Sequence, residues 1–175
     1  MNIMKKKVFF AVLVASLTLV SCKLDQGYSE YTPDIVFYTP VILNSDSAVY
    51  LKSTSEYDVI GLDSIHVGDT VRIKIGMNGF ANQLTQFTYL VNDSTAIKTI
   101  IPDSAKTLFK SMDFKTKKFM FNSNYAIVIL PLDLVALKAS DSIAYSFGVA
   151  SSVTRVPNTA LIGLKTKIKP KRELE

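Results

Sequence analysis

From residue 34 to residue 169 the chain is a succession of short apolar runs, each closed by glycine, proline, asparagine or aspartate. That punctuation constrains its fold more than any other feature. The clearest run is Thr70-Val71-Arg72-Ile73-Lys74-Ile75. In an extended strand it puts Val71, Ile73 and Ile75 on one face and Arg72 and Lys74 on the other, whereas a helix would scatter them. Strand-like runs recurring every 8–12 residues or so, with turn residues between them, predict an all-β domain built as a sandwich over residues 34–170.

The remaining runs extend that reading. Ile35-Val36-Phe37-Tyr38, stopped at Pro40, reads as an edge strand, because proline cannot donate to a ladder. Val49 and Leu51 alternate with Tyr50 and Lys52, and residues 57–60 and 65–67 are short strand pieces. Glycine first in the Gly68-Asp69 pair predicts a type II′ turn. Gly76-Met77-Asn78-Gly79 reads as a break, after which Phe87, Tyr89 and Val91 share one strand face. A strand over 96–101 is closed by Pro102, and residues 104–114, with Leu108 and Met112 four apart, predict a short helix. Phe119 and Phe121 alternate with Met120, and 125–130 is a continuous apolar run suited to a buried strand. Residues 131–138 read as a crossover with one helical turn. The next strand points Ile143, Tyr145, Phe147 and Val149 one way, with small residues on its other side. Pro157-Asn158 marks a turn. The last strand sets Ile162, Leu164, Thr166 and Ile168 against Gly163, Lys165, Lys167 and Lys169.

The N-terminus is different. Lys5-Lys6-Lys7 precedes a run from Val8 to Val20 that is apolar except for Ser16 and Thr18, and then come Ser21 and Cys22. A positive region, a short apolar region and a small residue before the cut are the parts of a secretory signal. The apolar run is shorter than the roughly 20 residues a spanning helix needs. Residues 1–21 are therefore read as a removed signal. Residues 22–33 become a tether without hydrophobic period, and 171–175 a polar C-terminal tail.

Leu19-Val20-Ser21-Cys22 resembles the lipobox of bacterial lipoproteins, which signal peptidase II cuts before the cysteine. The resemblance implies that Leu19, Val20 and Ser21 are recognised by that peptidase. It also implies that Cys22 carries a thioether diacylglycerol and an amide-linked acyl chain such as palmitate. More than one chain is what separates a stable anchor from reversible attachment. Val67-Gly68-Asp69-Thr70-Val71 is similar to the strand entry of immunoglobulin-like modules of bacterial surface proteins, and residues 137–149 resemble the penultimate stretch of fibronectin-type sandwiches. In that second likeness Ile143 stands where a corner tyrosine is usual. The fold expected is thus a single immunoglobulin-like antiparallel β-sandwich behind a cleaved lipoprotein signal. Lipidated cysteine, tether and sandwich together are similar to small outer-membrane lipoproteins of Bacteroidota, some of which serve glycan uptake.

Composition excludes more than it selects. Twenty basic and 15 acidic groups give a formal charge of +5, but Lys5, Lys6 and Lys7 leave with the signal, so the remaining 154 residues carry only +2. That balance gives no reason to expect nucleic acid as a partner. One histidine and one cysteine leave no cluster for a zinc or redox site, and no metal or other cofactor is expected. The lack of tryptophan removes the commonest sugar-stacking side chain and the signature residue of lipocalin barrels.

No catalytic residue stands out. His66 lies between Ile65 and Val67 and should face outward, and there is no Gly-x-Ser-x-Gly elbow to supply a nucleophile for it. Asp46, Asp93, Asp103 and Asp141 sit at turn-like places without the dense acidic pattern of a calcium loop. Lys165, Lys167, Lys169 and Lys171, with Arg172, form a basic row with two main readings: a solvated face that discourages edge pairing, or contact with an anionic membrane surface. The sequence therefore points to a non-enzymatic, lipid-anchored binding or accessory protein of the outer membrane. Its partner would be an envelope protein or a glycan. The alternatives are an envelope structural or adhesion component assembling through sheet edges, and, more remotely, an envelope hydrolase.

Overall fold

The computed structural model describes residues 32–173, except 57, 81, 123–124 and 154–157. The described strands are, in chain order, β1 (Asp34–Leu43), β2 (Ser47–Val49), β3 (Lys52–Ser53), β4 (Val59–Gly61), β5 (Ile65–His66), β6 (Thr70–Asn78), β7 (Leu84–Val91) and β8 (Ile97–Ile100). A single helical turn, α1 (Asp103–Lys106), precedes β9 (Phe109–Asp113), β10 (Lys118–Phe121), β11 (Ile127–Ala136), β12 (Ser140–Ser151) and β13 (Thr159–Lys169). One sheet has the order β2-β1-β6-β11-β8, and the other β3-β4-β13-β12-β7-β10-β9, with β5 also against β13. The pairing is antiparallel except where β13 runs parallel to β4 and then β5. The chain thus forms the β-sandwich that its strand spacing predicts, with the immunoglobulin-like arrangement of sheets that the resemblance implied.

Alternation builds the core. From the first sheet come aliphatic side chains, among them Val71, Ile73 and Ile75 of β6 and Leu130, Leu132 and Leu134 of β11, all buried. The second sheet answers with rings. Tyr145 and Phe147 stack at 5.1 Å, Tyr89 and Phe119 at 5.8 Å, and Phe37 of β1 meets Phe147 edge-on at 5.7 Å across the two sheets. Burying one such ring stabilises the fold by about 1.5–3 kcal/mol, with about 0.5–1.5 kcal/mol more for each well-oriented aromatic pair.

Several sequence expectations yield to tertiary packing. The helix predicted over 104–114 is one turn long, because Phe109 gains more as a strand residue, packed at 5.7 Å from Phe119 and 5.2 Å from Phe121. The crossover predicted over 131–138 is instead the second half of β11, with Leu132, Leu134 and Ala136 continuing the inward alternation. Pro131 is tolerated there because it pairs only with Lys74 of β6, and β8 joins the other side only from Asp133 onward. Gly76 is no break either: β6 runs on to Asn78, and Met77 is buried between Ile35 and Val128 in register. Likewise β1 passes Pro40 with a register shift and gains β2 as an outer neighbour only for residues 41–43, so among the described residues 34–38 has no strand on its outer side. Asp69 N–H bonds to His66 O at 3.0 Å with Gly68 at φ +94, which places glycine third in a type II turn rather than second in a type II′. Type II′ belongs to hairpins, whereas this turn carries the chain from one sheet to the other.

Candidate functional site

The two sheets part where the first ends at β8. Here a cleft of about 210 Å³ opens between β8, β7 and the turn that joins β9 to β10. Tyr89 and Val91 of β7 form one wall, with Ile97, Lys98 and Thr99 of β8 opposite. Phe114 and Lys117 reach in from the β9–β10 turn, and Ser94 from the β7–β8 loop. Drug-sized ligands occupy about 300–1,000 Å³, so this cleft suits a single ring or a short chain.

Both loops at the rim are fixed by their own carboxylates. Asp93 Oδ1 accepts from Thr95 N–H at 2.9 Å, Thr95 Oγ1 at 2.7 Å and Ala96 N–H at 3.2 Å. Across the cleft Asp113 accepts from Lys115 N–H at 2.8 Å and from Thr116 Oγ1 at 2.7 Å. The Thr95 and Thr116 hydroxyls, with the N–H groups of those turns, hold both carboxyls below their ordinary value, so both stay ionised. Lys117 sits in the left-handed region at φ +57, which a non-glycine residue adopts at a cost. That conformation sets its Nζ 5.5 Å from the centre of the Tyr89 ring. Phe114, 47% exposed, stands edge-on to Phe119 at 5.4 Å.

Inside the cleft wall, Tyr145 and Thr99 share a hydrogen bond of 2.9 Å. Burial pushes the Tyr145 phenol up to about 12, the Thr99 contact only partly opposing it. Tyr89 is 3% exposed, and its hydroxyl makes no hydrogen bond to another described residue. Lys98 and Lys117 likewise have no carboxylate within ion-pair distance among the described residues. The cleft is thus lined by two lysines, three hydroxyl-bearing side chains and a half-exposed phenyl ring. That set favours an anion with hydrogen-bonding substituents.

Lys165, Lys167 and Lys169 alternate with the buried Leu164, Thr166 and Ile168, and so stand on one face of their strand as the sequence indicates. β13 lies inside its sheet, between β12 and the β4 and β5 strands, so its lysines guard no edge. Lys165 pairs with Glu56, and Lys167 with Asp141 at 2.7 Å. Lys169 and Lys171 are exposed. His66 is half-buried and its Nδ1 accepts from Arg172 Nε at 3.2 Å. Arg172 also reaches Asp69 at 3.2 Å, and Asn44 Nδ2 and His66 N–H donate to the same carboxyl at 2.8 and 2.9 Å. Burial raises the pKa of Asp69, but the Asn44 and His66 bonds and the Arg172 charge outweigh it and hold the group below the usual carboxylate range. No nucleophile joins this cluster. It ties the β1–β2 turn, the β5–β6 turn and the C-terminal segment together. Among the described residues no three His, Cys, Asp or Glu side chains converge as a metal site would need.

Leu19, Val20, Ser21 and Cys22, with most of the tether, lie outside the described residues, as does Pro157 of the predicted turn. The place where the expected tether would join the domain is nevertheless defined by the start of β1. Asp34 pairs with Asn78 at the end of β6, whereas Ala136, the partner of Ile97 beside the cleft, bonds to Asp69 O near the start of β6. Eight residue steps of about 3.4 Å, some 27 Å, separate those two ends. Lys169, paired with His66, shares the cleft's end of the sandwich.

Lys98, Phe114 and Lys117 were not singled out by the sequence. The signal available was the Asp113-to-Lys117 stretch, a turn-forming aspartate and threonine between two strand-like runs.

No family model matches the sequence, and no curated protein matches it. Solved structures with a similar arrangement include a DUF4466 family protein from Parabacteroides merdae, at 10% identity and a TM-score of 0.45, covering 77% of this chain and 43% of that one. A family 123 glycoside hydrolase from Clostridium perfringens is 11% identical with a TM-score of 0.44, over 79% of this chain and 27% of the enzyme. The chain therefore spans less than half the length of either. The Salmonella SafD adhesin is 4% identical, with a TM-score of 0.41, over 79% of this chain and 99% of the adhesin.

Proposed function

We propose that this chain is a lipid-anchored, non-catalytic binding or accessory protein of the bacterial outer membrane. The observation that carries the reading is Leu19-Val20-Ser21-Cys22, which contains the only cysteine of the chain and follows a basic and then an apolar stretch. A tether of eleven residues, 23–33, then leads to the first strand. A recessed cleft lined by hydroxyls and lysines, with no nucleophile and base assembled there among the described residues, supports binding over hydrolysis. Radioactive palmitate should label the protein in cells, and Cys22→Ala should abolish both labelling and cleavage after Ser21. A Cys22→Ala protein that still carried label would sink the reading.

A second reading rests on the open edge of β1. Residues 34–38 pair with β6 on one side and have no described strand on the other. Such an edge can accept a strand from a partner in an envelope assembly. Crosslinking between an engineered cysteine at Val36 and a neighbouring envelope protein in intact cells tests it, and a protein that crosslinks to nothing there argues for the first reading.

A further inference from the structure

We propose that the cleft between β7, β8 and the β9–β10 turn binds one acidic sugar ring, a pyranose bearing a carboxylate or a sulfate. The inference rests on reading the chain as a binding module and names the ligand class of that module; it does not depend on the lipid anchor.

The charge comes first. Lys52, Lys106 and Lys167 each have a carboxylate partner within 2.8 Å, but Lys98 and Lys117 at the cleft have none among the described residues. The nearby acids do not neutralise them. Asp93 and Asp113 are bound within their own turns, and each also faces another lysine, Lys138 and Lys118 respectively. The charged residues that line the cleft are therefore both lysines, with no carboxylate among them.

The hydroxyls then select a ring with substituents over a bare anion. Tyr89 is buried, its hydroxyl lacks a partner among the described residues, and it lines the cleft. Among the described residues the one fully enclosed side-chain oxygen without a partner is Ser151 Oγ, so the Tyr89 hydroxyl is open to solvent at the cleft, where a ligand hydroxyl would take the place of water. Ser94 and Thr99 add further hydroxyls on the same cleft. Phe114 offers a half-exposed aromatic face, whose negative quadrupole attracts the positively polarised C–H groups of a sugar. Inorganic phosphate would satisfy the lysines and could accept from Tyr89, but it would leave the Phe114 ring unused. The volume of about 210 Å³ takes one ring and excludes an oligosaccharide, so the rest of a glycan would lie outside.

The test is calorimetric titration of the full-length protein in detergent with a glucuronate-containing disaccharide, a sulfated disaccharide, the neutral disaccharide of the same linkage, and inorganic phosphate. At least one acidic sugar should bind, with the neutral sugar and phosphate each at least about tenfold weaker, and its affinity should fall as salt is raised. Lys98→Gln and Lys117→Gln should each weaken binding about tenfold, and Tyr89→Phe severalfold, with melting temperatures unchanged for the two lysine variants. Equal binding of neutral and acidic sugars, phosphate binding as tightly as either, lysine variants that bind like the parent, or no acidic sugar binding at all would overturn the proposal. An intact mass of the same sample reports whether Cys22 is acylated, so a failed anchor and a failed cleft are read separately.

Discussion

Tyr145 of β12 and Thr99 of β8 join the two sheets through one hydrogen bond of 2.9 Å, on the side where the sandwich opens. Burial keeps that phenol protonated to about 12, against an ordinary 10.0. In the unfolded chain Tyr145 ionises first, so its contribution is fully present below pH 10 and is lost as pH rises through about 12. Over that window the loss amounts to about 2–3 kcal/mol. Tyr145→Phe should cost about 1 kcal/mol at pH 7 and flatten the alkaline limb of stability, measured by denaturant melts at stepped pH.

Asp69 gives the acid counterpart. Its carboxyl is held below the usual range by Asn44, the His66 N–H and Arg172, so its contribution is present above the unfolded pKa and disappears as pH falls through the folded one. Asp69→Asn should cost about 1–3 kcal/mol at pH 7, because three donors converge on a buried acceptor. The gap between variant and parent should close in acid, once the parent's Asp69 is itself protonated. Urea midpoints at neutral and acid pH decide it.

Two glycines with similar steric demands should behave differently. A Cβ on Gly76 would lie 2.4 Å from Tyr38 Cε2, and one on Gly79 would lie 2.4 Å from Asn82 O. Tyr38 is a half-exposed ring that can swing aside, whereas the Asn82 carbonyl is backbone. Gly79→Ala should therefore cost about 2–3 kcal/mol and Gly76→Ala less than about 1 kcal/mol. Adding Tyr38→Ala should remove most of the Gly76→Ala cost, leaving that of Gly79→Ala untouched.

The basic row should contribute little to membrane attachment. Lys165 and Lys167 are already paired with Glu56 and Asp141, and Lys169 lies at the end of the sandwich remote from the tether junction. That separation, about 27 Å, exceeds three Debye lengths of about 8 Å. Changing Lys165, Lys167, Lys169 and Lys171 to glutamine should alter co-sedimentation of the full-length protein with anionic vesicles by less than about twofold. A large loss would mean that the domain lies flat on the bilayer.

The inward faces were legible because alternation is local. Val71, Ile73 and Ile75, or Ile143, Tyr145, Phe147 and Val149, declare themselves within a few residues, and all are buried. What escaped was decided by partners far away in the chain. Residues 109–113 look helical until Phe109 is set beside Phe119 and Phe121, and Pro131 looks like a stop until the missing neighbour strand explains it. The cleft is of the second kind. Tyr89 and Val91 were visible as one strand face, but Lys98 and Lys117 come to line one cleft only through the packing of β8, in one sheet, beside the β9–β10 turn of the other.

The separation of the tether junction from the cleft also has a mechanical side. A pull between Asp34 and a ligand held at the other end acts along the strand axes. β1 and β6 run antiparallel, with paired residues from Asp34–Asn78 to Leu43–Val71. Their interstrand bonds lie across that axis, so the load falls on the whole ladder in shear. A peeling force would open the same bonds one at a time. The chain enters its sandwich by a strand that such a pull loads in shear rather than peels.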